Sequence, residues 1–283
     1  MSLIYLSSLF VVLAGFTVYP LISKKYIGRA GFKKFVPAFL SFSAAGALAV
    51  LPMIYGSFSF DFSYVPLLAV LGGMYTTAAY LIFYSIERHN LSVLNPIIGS
   101  QEIFIAIFTS IFFFASRLNS VVVPFLVAVA GIAILSYEGS PKARFSKYVV
   151  ITAMGVLIWV FMWIFFYTIN AGTTMLYYAV VQLFAFVFCL PVAAFHNRGK
   201  GVGYYVSGNK FGYIALAGML NGAATVVFSF AYKFSALLTP FVSQLAVPIV
   251  IISSIILFKE RPKKAEVLGI ILLTAGSFIY IIL

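Results

Sequence analysis

The sequence predicts an all-α integral membrane protein. Of its 283 residues, 63% are hydrophobic and only 8% are charged, and the mean hydropathy is +1.11. A soluble globular domain does not need so apolar a surface, so the composition indicates a chain that crosses a membrane several times. Apolar runs of about 20 residues, the length that spans a bilayer as a helix, recur along the whole chain with short polar segments between them.

Ten such runs are present. We expect transmembrane helices at about 3–22, 35–55, 64–86, 93–115, 120–137, 147–168, 174–195, 211–233, 240–258 and 265–283. The first run has no basic leader and no small-residue cleavage site, which predicts a membrane helix rather than a signal peptide. The longest connections, 24–34 and 196–210, are too short to fold as a separate soluble domain.

The formal net charge of +12 lies in the connections between these runs. Loops after odd-numbered helices hold all but two of the 18 Lys and Arg residues, and the two exceptions are Arg117 and Lys233. This distribution is typical of loops on the cytoplasmic face of a membrane rather than of a nucleic-acid-binding surface. We therefore predict a multi-pass protein of the cell (plasma or inner) membrane with both termini outside.

The two halves of the chain are similar. Residues 71–83 (LGGMYTTAAYLIF) resemble residues 216–228 (LAGMLNGAATVVF), and Asn95-Pro96 aligns with Thr239-Pro240, at an offset of 144 or 145 positions. Each half holds five predicted helices, so the second half must enter the membrane in the opposite sense. The prediction is one membrane domain of two inverted-topology repeats, 1–140 and 141–283, a construction of secondary transporters whose substrate sites lie near the midplane.

The segment 239–279 carries a more specific pattern: a helix that starts with proline, a second proline, a Glu-Arg pair and a last helix with spaced glycines. Its residues are Pro248, Glu260, Arg261, Gly269 and Gly276. The segment resembles the drug/metabolite transporter superfamily, specifically its ten-helix EamA-type members. That resemblance implies a transporter of small metabolites, often an exporter. The first half departs from the pattern, because Ser116-Arg117 stands where Glu-Arg is expected.

Glu102 is the only acidic residue deep within any of the apolar runs. A carboxylate at that depth costs a few kcal/mol unless it faces water, protein or a ligand. We predict that Glu102 projects into a central cavity as a substrate-binding or proton-linked residue. The alternative is a hydrogen bond that only joins two helices.

Other polar and aromatic side chains at comparable depth complete the predicted cavity. They are Gln101, Ser100, Tyr80, Thr76, Asn221, Thr225, Gln244, Ser243, Trp163, Tyr178 and Gln182. Each has a structural alternative, since amides and hydroxyls also bridge membrane helices and aromatic rings also pack. Pro96, Pro240 and Pro248 remove backbone donors and are predicted to let their helices bend.

Charged residues at the ends of the runs are predicted to be solvated. Glu260 is expected in a surface ion pair with Arg261 or Lys259. The cluster Glu87-Arg88-His89 is expected to be exposed to solvent, with a gating role as the alternative. The single cysteine, Cys189, excludes an intrachain disulfide and is expected to be a buried packing residue.

Together these features predict a secondary active transporter, an exporter by the resemblance, of small amino-acid-like or hydrophobic metabolites that works by alternating access. An organic-cation carrier with an aromatic box is the open alternative, followed by a channel. The expected partners are a small-molecule substrate, the lipid bilayer and protons as a candidate coupling ion, in a monomer or homodimer, without nucleic acid, metal or cofactor. An enzyme is not predicted, because the apolar runs hold no nucleophile with a base and no paired carboxylates.

Overall fold

The computed structural model describes residues 3–54, 60–113, 118–136, 146–168, 174–197, 211–234 and 238–282. These residues are α-helical apart from a 3-10 turn at Phe62–Tyr64 and short connections. The α-helices are α1 (Leu3–Ala30), α2 (Phe32–Ile54), α3 (Val65–Arg88), α4 (Leu91–Gly99), α5 (Gln101–Phe113), α6 (Leu118–Ser136), α7 (Lys147–Thr168), α8 (Thr174–Asn197), α9 (Phe211–Phe234), α10 (Leu238–Phe258) and α11 (Lys264–Ile282).

The helices confirm an all-α membrane protein. Within the described ranges, six are long and apolar enough to cross a bilayer: Leu3–Gly28, Phe32–Pro52, Phe62–Arg88, Lys147–Phe165, Leu176–Phe195 and Phe211–Ala231. Shorter apolar helices cover Leu91–Ile105, Val121–Ser136 and Val242–Phe258. Each of the ten apolar runs therefore overlaps a helix that the structure describes. Six of these helices are long enough to span a membrane.

Two boundaries differ from those expected. Helix α1 continues through Lys24 and ends only at Ala30. The next residue, Gly31, has a φ of 77°, which suits a glycine after a helix C-terminus. The run expected as one helix at 93–115 is divided at Ser100 into α4 and α5. The break follows Pro96 by four residues, and the Ser100 amide donates to the Pro96 carbonyl over 2.9 Å.

Glycines let the central helices pack with their backbones close together. Helix α2 packs most extensively on α9, and α3 packs on both α7 and α8. A Cβ added at Gly222 of α9 would lie 1.9 Å from the Ser43 carbonyl oxygen of α2. A Cβ added at Gly72 of α3 would lie 2.4 Å from Cβ of Phe184 in α8. Close approach of this kind is how small residues join helices in membranes.

Contacts between helix ends gather the positive charge at one end of the bundle. Near the end of α3, Ile86 accepts a hydrogen bond from Lys24 of α1, and Tyr84 lies against Tyr148 at the start of α7. At the same end, Glu260 after α10 meets the start of α4. We call this the basic end. Its described cations are Lys24, Lys25, Lys33, Lys34, Arg88, Lys147, Lys259, Arg261, Lys263 and Lys264.

The close α2–α9 contact gives a direct test of this packing. Replacing Gly222 by alanine places a methyl group against the backbone of α2, and overpacking of this kind costs about 1–3 kcal/mol. For a chain of this size we expect Tm in detergent to fall by roughly 2–10 °C. Gly212→Ala on the same helix is the control, because nothing lies within 4 Å of its added Cβ. Equal Tm values for the two variants would contradict the described packing.

Candidate functional site

Four buried side chains from four helices form a hydrogen-bonded group that we call the central polar cluster: Ser43 (α2), Tyr75 (α3), Gln182 (α8) and Asn221 (α9). The Ser43 hydroxyl donates to Oε1 of Gln182 over 2.6 Å. The Asn221 amide donates to Oγ of Ser43 over 2.9 Å and to the Tyr75 hydroxyl over 3.1 Å. None of the four is more than 2% exposed. The cluster therefore joins both halves of the chain at its core.

The glycine contacts explain why these side chains can reach one another. Asn221 precedes Gly222, the residue whose missing side chain lets α9 approach Ser43 of α2. Because the two backbones are in contact there, the short serine and asparagine side chains bridge the helices. Thr225, one turn after Asn221, bonds through its hydroxyl to the Asn221 carbonyl oxygen over 2.7 Å.

Aromatic side chains border the cluster. The ring of Trp159 meets the Tyr75 ring edge-on, with centroids 5.5 Å apart. The ring of Trp163 stacks on Tyr178, with centroids 5.1 Å apart. The Tyr178 ring also meets the Tyr75 ring edge-on, with centroids 6.4 Å apart. One wall of the site is therefore aromatic and is contributed by α7 and α8.

Two hydrogen-bond donors at the cluster are unused. Nε2 of Gln182 and Nε1 of Trp159 are buried and make no hydrogen bond of normal geometry in the part of the chain that the structure describes. Leaving a buried donor unpaired costs about 1–3 kcal/mol. Such donors can bond to an acceptor, such as a carbonyl or carboxylate oxygen, of a bound molecule.

A cavity of about 20 Å³ adjoins the cluster. It is lined by Tyr19, Pro20, Phe39, Tyr75, Ala79, Ile82, Phe83, Ile86, Ile98, Trp159 and Asn221. Its volume suits about one water molecule, so the helices are closed around the cluster. A second cavity, of about 290 Å³, lies among α4, α5, α6 and α7 and has an entirely apolar lining.

Glu102 lies in a second polar group, where the break between α4 and α5 meets α10. Its Oε1 accepts a hydrogen bond from the Ser243 hydroxyl over 3.3 Å. The Gln244 amide donates to the Gly99 carbonyl oxygen over 2.9 Å. Glu102 is half-buried in the first turn of α5, where the helix dipole favours a negative charge. The structure thus brings together residues that the sequence placed at matching depths of the two halves.

Ser100 and Gln101 flank Glu102 at the break. The Ser100 hydroxyl donates to the Ile97 carbonyl oxygen over 2.7 Å, so it satisfies a backbone group at the end of α4. Oε1 of Gln101 is buried without a hydrogen bond among the described residues. Ile98, one turn before Glu102, lines the small cavity that also contacts Asn221. Glu102 and Gln101 themselves are not among the residues that line it.

The structure places two of the predicted cavity residues elsewhere. The Thr76 hydroxyl donates to the Ala185 carbonyl oxygen of α8 over 2.8 Å. The Tyr80 hydroxyl lies 3.4 Å from Sγ of Cys189, also in α8. The face of α3 that holds Thr76 and Tyr80 packs against α8, whereas Tyr75, one position before Thr76, faces the cluster. Cys189 is fully buried, which confirms its predicted packing role.

Ser43, Tyr75 and Trp159 are site residues that were absent from the predicted set. Trp159 shares a helix face with Trp163, so its spacing carries a signal. A lone serine in an apolar run, such as Ser43, carries none. Pro96 and Pro248 lie inside α4 and α10, as expected for helix-bending residues. Pro240 lies in the first turn of α10.

Glu260 corrects a prediction. It is 7% exposed rather than solvated, and its two carboxylate oxygens accept the backbone N–H groups of Leu91 and Ser92, each over 2.8 Å. It forms no ion pair with Arg261 or Lys259 in the described structure, because the first turn of α4 offers it two unpaired donors. Glu87 and Arg88 pair with each other.

Several predicted loop cations lie outside the described residues: Arg117, Lys142, Arg144, Arg198, Lys200 and Lys210. The side chains of Arg29, His196 and Lys233 are also outside the description. In the residues that are described, no group of three or more His, Cys, Asp or Glu side chains could hold a metal ion.

The central polar cluster can be tested by its contribution to stability. Asn221→Ala removes two hydrogen bonds between helices, each worth about 0.6 kcal/mol on average in a membrane. We expect Tm to fall by roughly 2–4 °C. Ser229→Ala on the same helix is the control, since this hydroxyl bonds to the Thr225 carbonyl oxygen of its own helix. A Tm for Asn221→Ala as high as that of Ser229→Ala would mean that the cluster does not join the helices.

No family model matches this chain, and no curated protein matches it. Among solved structures, 22 chains are similar to it. One of them, described as "Crystal structure of protein", has a TM-score of 0.56 and 16% sequence identity, over 95% of this chain and 95% of that chain. At this identity the likeness shows a shared fold over nearly the full length.

Proposed function

We propose that this protein is a secondary carrier of small organic molecules that binds its substrate at the central polar cluster and works by alternating access. The observation that carries the proposal is the cluster itself, in which buried polar groups of α2, α3, α8 and α9 meet. Nε2 of Gln182 in the cluster and Nε1 of Trp159 beside it make no hydrogen bond to the described residues. Polar groups in the interior of a membrane protein are costly and commonly mark a substrate path.

The packing of the helices supports the proposed inverted repeat of two five-helix halves. In this repeat, α1, α2 and α3 correspond to α7, α8 and α9. Helices α4 and α5 together correspond to α10, and α6 corresponds to α11. Each contact between two helices then has an equivalent contact between their counterparts. The α2–α9 contact then corresponds to α8–α3, and the α1–α9 contact to α7–α3, and both members of each pair are present. The α4–α10 and α6–α11 contacts correspond to themselves and are also present.

Helix direction supports the same proposal. Lys24 near the end of α1 and Tyr148 at the start of α7 both contact the last turns of α3. Helices α1 and α7, which begin the two halves, therefore run in opposite directions. The described loop cations share the basic end, so the positive-inside rule assigns that end to the cytoplasm and the chain termini to the outside. The resemblance to EamA-type transporters agrees with a ten-helix carrier.

The polarity of the site favours an amino-acid-like substrate. Nε2 of Gln182 and Nε1 of Trp159 make no hydrogen bond to the described residues and suit a carboxylate or carbonyl group. At the break between α4 and α5, Glu102 and Oε1 of Gln101, which accepts no hydrogen bond from the described residues, suit an ammonium group. The aromatic wall suits an apolar side chain. An organic cation is the second candidate, but the stacking of Trp163 on Tyr178 occupies one face of each ring that would form its box.

A thermal-shift screen tests the substrate class. A ligand that binds the native protein raises its apparent stability. We expect zwitterionic amino acids with apolar side chains to raise Tm. Their carboxamide and decarboxylated analogues should raise Tm less, because each lacks one of the two charges. Stabilisation by quaternary ammonium compounds alone would favour the organic-cation carrier instead.

Gln182→Leu removes a donor from the cluster and should weaken substrate binding. A hydrogen bond to a charged group is worth about 1.5–3 kcal/mol, so we expect Kd to rise about 10-fold or more. Thr77→Val is the matched control, because Thr77 is exposed on α3 and bonds to the Gly73 carbonyl oxygen of its own helix. Binding measured by titration calorimetry that is equal in both variants would remove Gln182 from the site.

Glu102→Gln tests the second polar group. Glutamine keeps an acceptor for the Ser243 hydroxyl, so the variant should express and fold, but it cannot carry a charge or release a proton. We expect uptake into proteoliposomes to be lost or to lose its pH dependence. Normal pH-dependent flux in this variant would exclude Glu102 from the mechanism.

A further inference from the structure

The turn between α3 and α4, residues 86–92, is held from both sides at the basic end. On one side, Nζ of Lys24 in α1 donates to the carbonyl oxygen of Ile86 over 2.7 Å and also to that of His89. On the other side, the N–H groups of Leu91 and Ser92 donate to the two carboxylate oxygens of Glu260, each over 2.8 Å. Lys24 belongs to the first half of the chain and Glu260 to the second.

Each side chain lies at the helix terminus that favours its charge. The end of α3 presents unpaired carbonyl groups and a partial negative charge, which the Lys24 ammonium group satisfies. The start of α4 presents unpaired N–H groups and a partial positive charge, which the Glu260 carboxylate satisfies. Hydrogen bonds with an ionised partner are roughly twice as strong as neutral ones. The two side chains also attract each other across the turn.

The same turn also contacts the starts of α2 and α7. The carboxylate of Glu87 accepts the backbone N–H of Phe32 over 3.2 Å. The His89 ring stacks on Tyr148, with centroids 5.9 Å apart. Ends of six helices, α1, α2, α3, α4, α7 and α10, are therefore tied together around one short segment.

The small cavity beside the central polar cluster lies directly beneath this turn. Ile86, whose carbonyl oxygen accepts from Lys24, lines that cavity. Pro20, one turn before Lys24 on α1, lines it as well. The turn that Lys24 and Glu260 hold in place therefore lies between this cavity and the basic end.

We propose that Lys24 and Glu260 form a latch that keeps the basic end of the bundle closed. Opening this end requires the Glu260 carboxylate to leave the first turn of α4 and Lys24 to leave the last turn of α3. The inference rests on the proposed alternating-access cycle. The position that corresponds to Glu260 in the first half is Ser116, which has no carboxylate.

The accessibility of a cysteine in the cavity tests the latch. Ala79 lines the cavity and is 9% exposed, so Ala79→Cys in a Cys189→Ala background supplies the reporter. Its labelling rate with a charged methanethiosulfonate reagent is measured on purified protein in detergent. Glu260→Gln leaves one side-chain acceptor for two N–H donors, and we expect the rate to rise about 5-fold or more, since roughly 1 kcal/mol of lost closure gives such a change.

Lys24→Gln provides a second, independent variant, with a rise in the same direction expected. Glu266→Gln is the matched control. Glu266 accepts the Lys263 N–H at the exposed start of α11 over 2.6 Å and does not contact the α3–α4 turn. This control makes the same chemical change at another helix start, and the labelling rate should stay at the parent value.

Thermal unfolding of each variant first establishes that it is folded. If Glu260→Gln does not fold, the labelling rate of folded Lys24→Gln tests the proposal. Faster labelling in the latch variants with unchanged labelling in Glu266→Gln supports the proposal. Parent-like labelling in a folded latch variant overturns it, and so does an equal rise in the control. Because the readout needs no substrate, failure of the substrate-binding tests is recognised separately from failure of the latch.

Discussion

A hydrogen-bonding group inside a bilayer has no water to bond, and the core of this protein follows from that constraint. Asn221, Ser43, Tyr75 and Gln182 are each at most 2% exposed, and they satisfy one another across four helices. The short side chains of Ser43 and Asn221 can meet only if the backbones of α2 and α9 are in contact. The absence of a side chain at Gly222 therefore has a direct consequence for the polar centre of the molecule.

The same constraint relates the centre to the basic end. At the centre, polar groups pair with one another, and Nε2 of Gln182 and Nε1 of Trp159 make no hydrogen bond to the described residues. At the basic end, the unpaired backbone groups of α3 and α4 are satisfied by Lys24 and Glu260. The hydrogen bonds at the centre and those at the basic end both involve side chains from the two halves of the chain. Movement of one half relative to the other would therefore break the hydrogen bonds of Asn221 to Ser43 and Tyr75 and those of Glu260 to the start of α4.

Much of the fold was predictable from the sequence, because the length and apolarity of a membrane helix are local properties. All ten apolar runs coincide with described helices. The break at Ser100 was not predicted, since Pro96 signals a weakened helix but not whether the helix continues. Residues paired across the halves, such as Glu102 with Ser243, were predicted to share a cavity because they lie at comparable depth in their apolar runs.

The remaining site residues depend on contacts that are distant in sequence. Thr76 and Tyr75 are neighbours on α3, and only the position of α8 decides which of them faces the cluster. Glu260 was predicted at the surface because it ends an apolar run, yet the helix start that buries it lies 169 positions earlier in the chain. Local patterns of polarity do not carry that information.

The claim that this protein is a carrier with one central site is tested most directly by counterflow. Purified protein in liposomes is loaded with an unlabelled apolar amino acid, and entry of the labelled form is measured against empty liposomes. A carrier that alternates its site predicts faster, transient accumulation in the loaded vesicles. Entry that is independent of internal substrate, as through a channel, or absent from both preparations would contradict the account.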